Sequence, residues 1–511
     1  MIKKKNLFLS VGSLAVLTGC NTKTIENPNI IFILADDMGY GDVSSLNEES
    51  KISTPNIDRI ARNGVVFTNA HSSSSVSTPT RYGILTGRYN WRSTLKRGVL
   101  YGYDEALIPA GRTTTASMLR EQGYETACIG KWHLGWTWSG IEKGKDSVDF
   151  TKPIKFGPTD VGFNYFYGIS ASLDMPPYVY VENNMPTALP NRITSGKGMQ
   201  MWREGPTASD FEHNKTLSHL IDKAENYINR NANKEPFYLY LPLPAPHTPI
   251  LPNDEFQGKS GLNPYGDFVM EVDYMVGRIL ETLKQNGIEE NTILVFTTDN
   301  GCSPAAEIKE LQEKEHYPSY IYRGHKADLY EGGHRIPCVM QWPARIHHHT
   351  VDQAVCLTDF MATFAAISGY KIKDNEAEDS YNILPLLLNT SEEKIIREAI
   401  VHHSINGEFS LRKGNWKLLL SPSSGGWSYP RPGRDSVIIN ELPKVQLYNL
   451  HTDPGETKNV YRENPEVLYE LREIMIRYVK EGRSTLGMPQ KNDGPEDWAE
   501  RLIQGWTKIE E

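Results

Sequence analysis

Asn29-Ile-Ile-Phe-Ile-Leu-Ala-Asp36 is an apolar run of strand length that closes on the acidic turn Asp37-Met-Gly-Tyr-Gly-Asp42. A half-exposed strand alternates apolar and polar residues, whereas an unbroken run marks a strand covered on both faces, as in a parallel sheet flanked by helices. Residues 124–129, 236–243 and 291–298 read the same way. Shorter strands are expected at 64–70 and 338–342. Between them lie helical stretches: a Pro-initiated helix at Thr54-Pro-Asn-Ile-Asp58, residues 116–122, 274–285 and 357–366, and 211–230, where Leu217, Leu220, Ile221, Ala224 and Ile228 recur near helical spacing. This alternation predicts an α/β fold, a large mixed, mostly parallel sheet sandwiched by helices. After Pro385 the character changes. Residues 416–420 and 446–450 alternate as antiparallel strands ahead of a helix at 465–478, so a smaller C-terminal antiparallel sheet with a helix is expected. The expected domains are 1–20 as a targeting segment, 27–385 as the large domain and 386–511 as the smaller one. The polar tail from Arg483 is expected to wrap the surface.

Each buried strand ends in residues that carry chemistry. In an open α/β sheet, the crevice beyond the carboxyl ends of the strands is where ligands bind. Asp36 and Asp37 follow the first strand, and Asp299-Asn300-Gly301 follows the strand at 291–298. Two adjacent acids after a buried strand repel unless something compensates them, although Asp-Gly-rich loops are often only solvated turns. Four oxygen ligands, Asp36, Asp37, Asp299 and Asn300, suit one calcium or magnesium ion better than zinc. Asp42 reads as a turn residue. Gly130-Lys131-Trp132-His133 follows the strand at 124–129, where Lys131 and His133 either face a site or decorate the surface. His247 sits in the proline-stiffened Pro244-Ala-Pro-His247-Thr-Pro249, suited to proton transfer near neutral pH.

The stretch Ser72 to Arg88, SSSSVSTPTRYGILTGR, reads as a polar approach to a short helix. Thr78 is placed to cap, Pro79 to occupy the first helical position and Gly87 to end the helix. Ser77 would then lie just ahead of a helix N-terminus, where free N–H groups favour an anion, with Arg81 able to fold back as a fixed positive charge. A hydroxyl nucleophile beside an anion pocket and a merely capped surface helix are both consistent with this. In Tyr322 to Pro337, YRGHKADLYEGGHRIP, Lys326 is a further candidate. Glu331 and Arg335 read as structural around a tight glycine turn. His325 and His334 read as exposed, and His347 to His349 as a loop.

A net charge of −9 argues against general nucleic-acid or polyanion binding, so an anionic substrate needs a local positive pocket. Lys3, Lys4 and Lys5 followed by a short apolar stretch form an export signal, too short to span a bilayer. It ends Leu17-Thr18-Gly19-Cys20, which resembles a bacterial lipobox with Cys20 as the lipidated residue; a plain secretory signal is the alternative. Cys128, Cys302, Cys338 and Cys356 lack any CxxC spacing and read as buried free thiols, with a disulfide as the alternative. Trp136, Trp138, Trp202 and the run Asp174-Met-Pro-Pro-Tyr-Val-Tyr-Val-Glu182 either line a sugar-binding surface or pack in the core.

Ser77-x-Pro79-x-Arg81 followed by Leu85-Thr86-Gly87-Arg88 resembles the signature of the type I sulfatases, within the alkaline phosphatase-like superfamily. The segments around Asp36-Asp37, Gly130-Lys-x-His-Leu-Gly135, Pro246-His-x-Pro249, Asp299-Asn300-Gly301 and Gly324-x-Lys326 with Glu331-Gly-Gly-x-Arg-x-Pro337 match that family in order. The resemblance spans nearly the whole mature chain. It implies a sulfuric ester hydrolase in which a sulfatase-maturing enzyme oxidises Ser77 to formylglycine (3-oxoalanine). Asp36, Asp37, Asp299 and Asn300 would bind one Ca2+, and Lys131 and Lys326 the sulfate. Arg81 would hold the hydrated aldehyde, His133 would contact its hydroxyl, and His247 would protonate the leaving oxygen. Asn300 stands where related two-zinc phosphatases and phosphodiesterases carry His.

The implied substrates are sulfated host or algal glycans. The Asp174 to Glu182 run also looks like that of sulfatases acting on galactose or N-acetylgalactosamine sulfated at O6. The expected location is the periplasm or outer membrane, through a lipid anchor at Cys20, with no nucleic-acid partner. Two other functions compete: a zinc-dependent phosphoester hydrolase of the same superfamily, and a non-catalytic binder of sulfated glycans.

Overall fold

The computed structural model describes residues 27–390 and 395–508. The targeting segment at 1–20, with Cys20, lies outside the described residues. The strand Asn29–Ala35 is the middle of a ten-stranded sheet. It pairs in parallel with Thr292–Thr298 on one side and Phe237–Pro242 on the other, and the sheet continues in parallel through Glu125–Lys131 and Tyr165–Ile169. Beyond Thr292–Thr298 the order turns mixed, because Cys338–Gln341 runs antiparallel to it. This is the α/β architecture expected from the four apolar runs.

The reason for the unbroken run is visible in where its residues go. Ile31, Ile33 and Ala35 join one core with residues of the helices Pro55–Arg62, Thr216–Asn231 and Pro264–Gln285. Ile30, Phe32 and Leu34 join a second core with residues of Ser77–Thr86, Thr115–Glu121 and Asp359–Ser368. Alternate side chains of one strand are thus desolvated on opposite faces, each contributing about 1.5–3 kcal/mol on full burial. A separate antiparallel sheet, Ile400–His403, Phe409–Lys413, Trp416–Leu419 and Gln446–Asn449, shares a third core with the helix Pro465–Glu481.

Several expectations need correction. The helix begins at Ser77, not at Pro79. Val76 is extended and precedes it, and Pro79 is accommodated inside the first turn, where N–H groups have no intrahelical partner. Thr78 does not cap; its hydroxyl donates to the His133 carbonyl at 2.9 Å. Gly87 does end the helix, in the left-handed region at φ 60°. The helix expected from Tyr274 starts at Pro264, where the Asn263 side chain accepts from Tyr265 and Gly266 N–H. Residues 64–70 break into Val65–Phe67 and the two-residue strand Ala70–His71. Of the two readings of Trp136 and Trp138, the core one holds: they are buried and packed edge to face at 5.2 Å. The tail is not merely polar wrapping: Trp498–Thr507 is helical, and Trp506 is buried against Phe409. His334, read as exposed, is fully buried and stacked on His402 at 3.5 Å. The four described cysteines are buried and free.

Candidate active site

Sheet register brings the predicted residues together. Ala35 is level with Thr298, and Leu34 with Pro242. The chain therefore leaves two adjacent strands with Asp36 and Asp299 side by side, and the Asp299 N–H bonds the Ala35 carbonyl. Asp37 follows in a left-handed conformation, φ 66°, which turns its backbone N–H onto the Asp299 carboxylate at 3.2 Å. Asn300 donates its amide to the Asp37 carboxylate at 2.7 Å. Tyr265 steadies this turn by donating to the Asp37 carbonyl and the Asp42 carboxylate. Asp42 also accepts from Gly39 N–H at 2.6 Å, which fits its reading as a turn residue.

Three buried cations answer the three carboxylates. Lys131 Nζ lies 2.5 Å from Asp36, Lys326 Nζ 2.7 Å from Asp37, and Arg81 Nη2 2.9 Å from Asp299. Burial opposes charge on all of them, and the ion pairs decide the outcome. Burial pushes the Lys131 ammonium below the usual lysine range despite Asp36. Burial also works against Lys326, but Asp37 and Asp36 outweigh it and hold its pKa above the ordinary value. Asp36, buried completely, is nevertheless drawn down to about 2 by Lys131, His247 and Arg81.

Ser77 stands at the first position of its helix, 2% exposed. Its Oγ donates to Asp36 at 3.3 Å and accepts from Lys131 at 3.5 Å. His247 reaches the same cluster from the Phe237–Pro242 strand. Its Nδ1 donates to the Thr248 carbonyl at 2.6 Å, leaving Nε2 facing Asp37 at 3.5 Å. His133 also has a positive φ, 56°; its Nε2 bonds the Leu100 carbonyl at 2.8 Å and its Nδ1 has no hydrogen-bond partner. Burial, then Lys131 and Arg81, keep His133 far below the usual histidine range and hence neutral.

One residue escapes the sequence reading, and another lies in a run that it singles out. Ser172 Oγ bridges Lys131 (3.3 Å) and His247 Nδ1 (3.1 Å), and a lone serine in an irregular loop gives no signal. Asp174 is buried, with one oxygen clamped by Arg203 and the other without a partner. Burial raises its pKa, but His247 and Arg203 more than offset this and hold it below the carboxylate range. This residue opens the Asp174 to Glu182 run, which the sequence marks as a candidate sugar surface without singling out the aspartate. Glu331 and Arg335 are structural as expected, with Glu331 gripped by Lys417 and Arg412 at 3.0 Å each.

A hard cation fits this donor set. Asn300 Oδ1 is buried with no hydrogen-bond partner, beside three carboxylates. The charges of Asp36, Asp37 and Asp299 are matched by those of Lys131, Lys326 and Arg81. Drawing an anionic ester into such a buried, balanced site requires extra positive charge, which a divalent ion brings.

The sulfatase family model matches residues 28–370. An N-acetylgalactosamine-6-O-sulfatase of Bacteroides thetaiotaomicron is 34% identical, over 90% of this chain and 96% of that protein. An N-acetylgalactosamine-6-sulfatase of Rattus norvegicus is 29% identical over 86% of this chain and 83% of its own. A solved structure from Bacteroides thetaiotaomicron, determined in a study of its metabolism of multiple glycosaminoglycans, superposes with a TM-score of 0.78 at 34% identity, covering 88% of this chain and 98% of that one. On this family match and these relatives, the chain belongs to the sulfatase family and is a sulfuric ester hydrolase.

Proposed function

We propose that the chain removes 6-O-sulfate from galactose or N-acetylgalactosamine units of sulfated host or algal glycans, using a formylglycine made from Ser77 and one calcium ion. The observation that carries this reading is the meeting of Ser77, Lys131, Lys326 and His247 around Asp36, Asp37, Asp299 and Asn300. It does so in a chain that aligns along 90% of its length with an N-acetylgalactosamine-6-O-sulfatase.

Asp36, Asp37, Asp299 and Asn300 would hold the cation. When present, calcium neutralises and polarises the sulfate, and the hydrated aldehyde supplies a hydroxyl nucleophile with a second hydroxyl for release. The chain's own groups do the rest. Lys131 and Lys326 bind the equatorial sulfuryl oxygens, and they stabilise charge best where water is excluded. His247, its Nδ1 committed to the Thr248 carbonyl, gives the proton on Nε2 to the departing sugar oxygen. His133, kept neutral by its surroundings, takes a proton on the free Nδ1 during sulfate release. Arg81, fixed between the Lys131 carbonyl and Asp299, orients the modified residue. The unpartnered oxygen of Asp174 accepts from a hydroxyl of the bound sugar.

The same reading makes the chain an exported lipoprotein, anchored through Cys20 in the periplasm or at the outer membrane, and a client of a sulfatase-maturing enzyme. It rests on the Lys3 to Cys20 signal and on the serine in the modification motif. The test is a mass spectrum of the Ser77 peptide from protein purified from its own organism, followed by a panel of sulfated sugars. A peptide lacking the two hydrogens removed by oxidation, with preference for 6-O-sulfated galacto-configured sugars, is the expected result. An intact serine in fully active protein, or activity confined to phosphate esters with zinc bound, would overturn it.

A further inference from the structure

A cavity of about 520 Å3 opens beside the C-terminal sheet, away from the catalytic cluster. Its wall is unusual for a chain of net charge −9. It is lined by the guanidinium groups of Arg323 and Arg462 and by Tyr330, Tyr429, Tyr448 and Tyr461. Neither arginine belongs to an ion pair among the described residues. Arg323 donates to the Glu456 carbonyl at 2.8 Å and the Tyr429 carbonyl at 3.3 Å, and lies 3.9 Å over the Tyr330 ring. Arg462 donates to the Tyr461 hydroxyl at 2.8 Å. Both guanidinium groups therefore hydrogen-bond to neutral oxygens. Glu463 also stands in the wall and Asp453 lies within the field of Arg323, so two carboxylates accompany the two arginines without ion-pairing either of them among the described residues.

The cavity is also tied to the catalytic loop. Arg323 is three residues before Lys326, a distance of at most about 10 Å along an extended chain. Asp328 of that loop also accepts from Trp427 and Ser428 N–H, next to Tyr429, which is 60% exposed. Tyrosine rings present faces on which sugar C–H groups stack, and guanidinium forks match the oxygens of sulfate or carboxylate. The volume falls within the range of small-ligand sites.

We propose that this cavity is an accessory site for an anionic stretch of a sulfated oligosaccharide, beyond the sugar whose ester is cleaved. The proposal rests on the carbohydrate-sulfatase reading given above. It makes the Arg323 to Tyr330 loop serve two sites, holding sulfate through Lys326 and the continuing glycan through Arg323.

The test uses full-length, matured protein and two probes, 6-sulfated N-acetylgalactosamine and a fluorescent 6-sulfated hexasaccharide of the same sugar. Tyr429→Ala with Arg462→Glu changes two side chains that touch nothing in the catalytic cluster. The expected outcome is monosaccharide kcat/KM within about twofold of the parent and hexasaccharide kcat/KM lower by about tenfold, as for loss of a charge-assisted contact. Arg462→Lys, which keeps the charge without the fork, should retain an intermediate value. Equal loss on both probes, or none on the hexasaccharide, would overturn the accessory site. If matured protein hydrolyses neither probe, the substrate assignment fails by itself. Fluorescence anisotropy of the hexasaccharide then decides the cavity: weaker binding by the double variant supports it, and equal binding sinks it.

Discussion

At the scale of single residues, the site separates a cation that is held from a cation that is loaned. Lys326 is favoured in its charged form by Asp37, whereas Lys131 is charged against the cost of complete burial. Lys131→Met would leave Asp36 buried beside Ser77 with one cation fewer. We expect a loss of stability of about 3–5 kcal/mol, typical of an orphaned buried charge. Added calcium should restore more of the thermal midpoint in this variant than in the parent; midpoints measured in chelator and in millimolar calcium would check it. His247 is tested by leaving group. If its Nε2 protonates the departing oxygen, His247→Gln should slow a sugar sulfate by about 10²–10⁴-fold. An aryl sulfate, whose phenolate leaves without help, should be slowed far less. Equal losses on both esters would remove His247 from the acid role. What could be read beforehand at this scale was the chemistry at strand ends, because Asp36, Lys131, His247 and Asp299 each follow an apolar run. Ser172 was not legible as a site residue, and Asp174 was legible only as part of a run offered as a sugar surface. They lie in irregular chain, and only the folded path brings Ser172 Oγ between Lys131 and His247.

At the scale of elements, local signals located the elements, and tertiary contacts set their ends. The Ser77 helix starts two positions before the proline because Thr78 is engaged by the His133 carbonyl and by Leu100 N–H, so its hydroxyl is unavailable as a cap. That engagement couples the nucleophile helix to the end of the Glu125–Lys131 strand. Gly130 marks the same junction. Its φ is 140°, and a Cβ there would lie 1.9 Å from the Pro242 carbonyl oxygen. No rotamer relieves a backbone clash, and Gly130→Ala must push apart the two strands that deliver Lys131 and His247. The backbone conformation alone costs about 1–3 kcal/mol. We expect a lowered urea midpoint and, in whatever folds, activity reduced by more than the folded fraction accounts for. A variant with parental midpoint and rate would show the junction to be soft. Trp136 and Trp138 show the converse: the sequence left them between surface and core, and only the tertiary contacts decide it, burying the two rings against each other, Trp136 on Phe166 and Trp138 on Phe150.

At the scale of the whole molecule, the two sheets meet through buried charge. Glu331, from the loop that carries Lys326, is gripped by Lys417 and Arg412 of the C-terminal sheet, and Lys417 also reaches Glu456 at 2.9 Å. Three histidines fill the seam beside this network. His71 Nδ1 lies 3.1 Å from His334 Nδ1, and His334 stacks on His402. Burial holds all three well below the usual histidine range, and Lys417 or Arg412 adds to that. In the unfolded chain each titrates near its ordinary value of about 6.5. Above that pH both states are unprotonated and the histidines leave stability unchanged. Below it the unfolded chain binds protons that the folded chain refuses, so stability falls as pH falls. Each histidine contributes up to about 1.4 kcal/mol per pH unit. Asp36 adds a second loss only in much stronger acid, because its folded value is about 2. The thermal midpoint should therefore decline between pH 6.5 and 5, offset in part by Glu271, Asp273 and Glu456, whose carboxyls burial raises to about 7, 6 and 7 in the folded chain, so that they gain protons there before the unfolded chain does. His402→Phe keeps the stack with His334 and removes one titrating group, so it should shallow that decline while leaving the midpoint at pH 8 nearly unchanged. An unchanged slope would mean that the seam opens to solvent before the molecule unfolds.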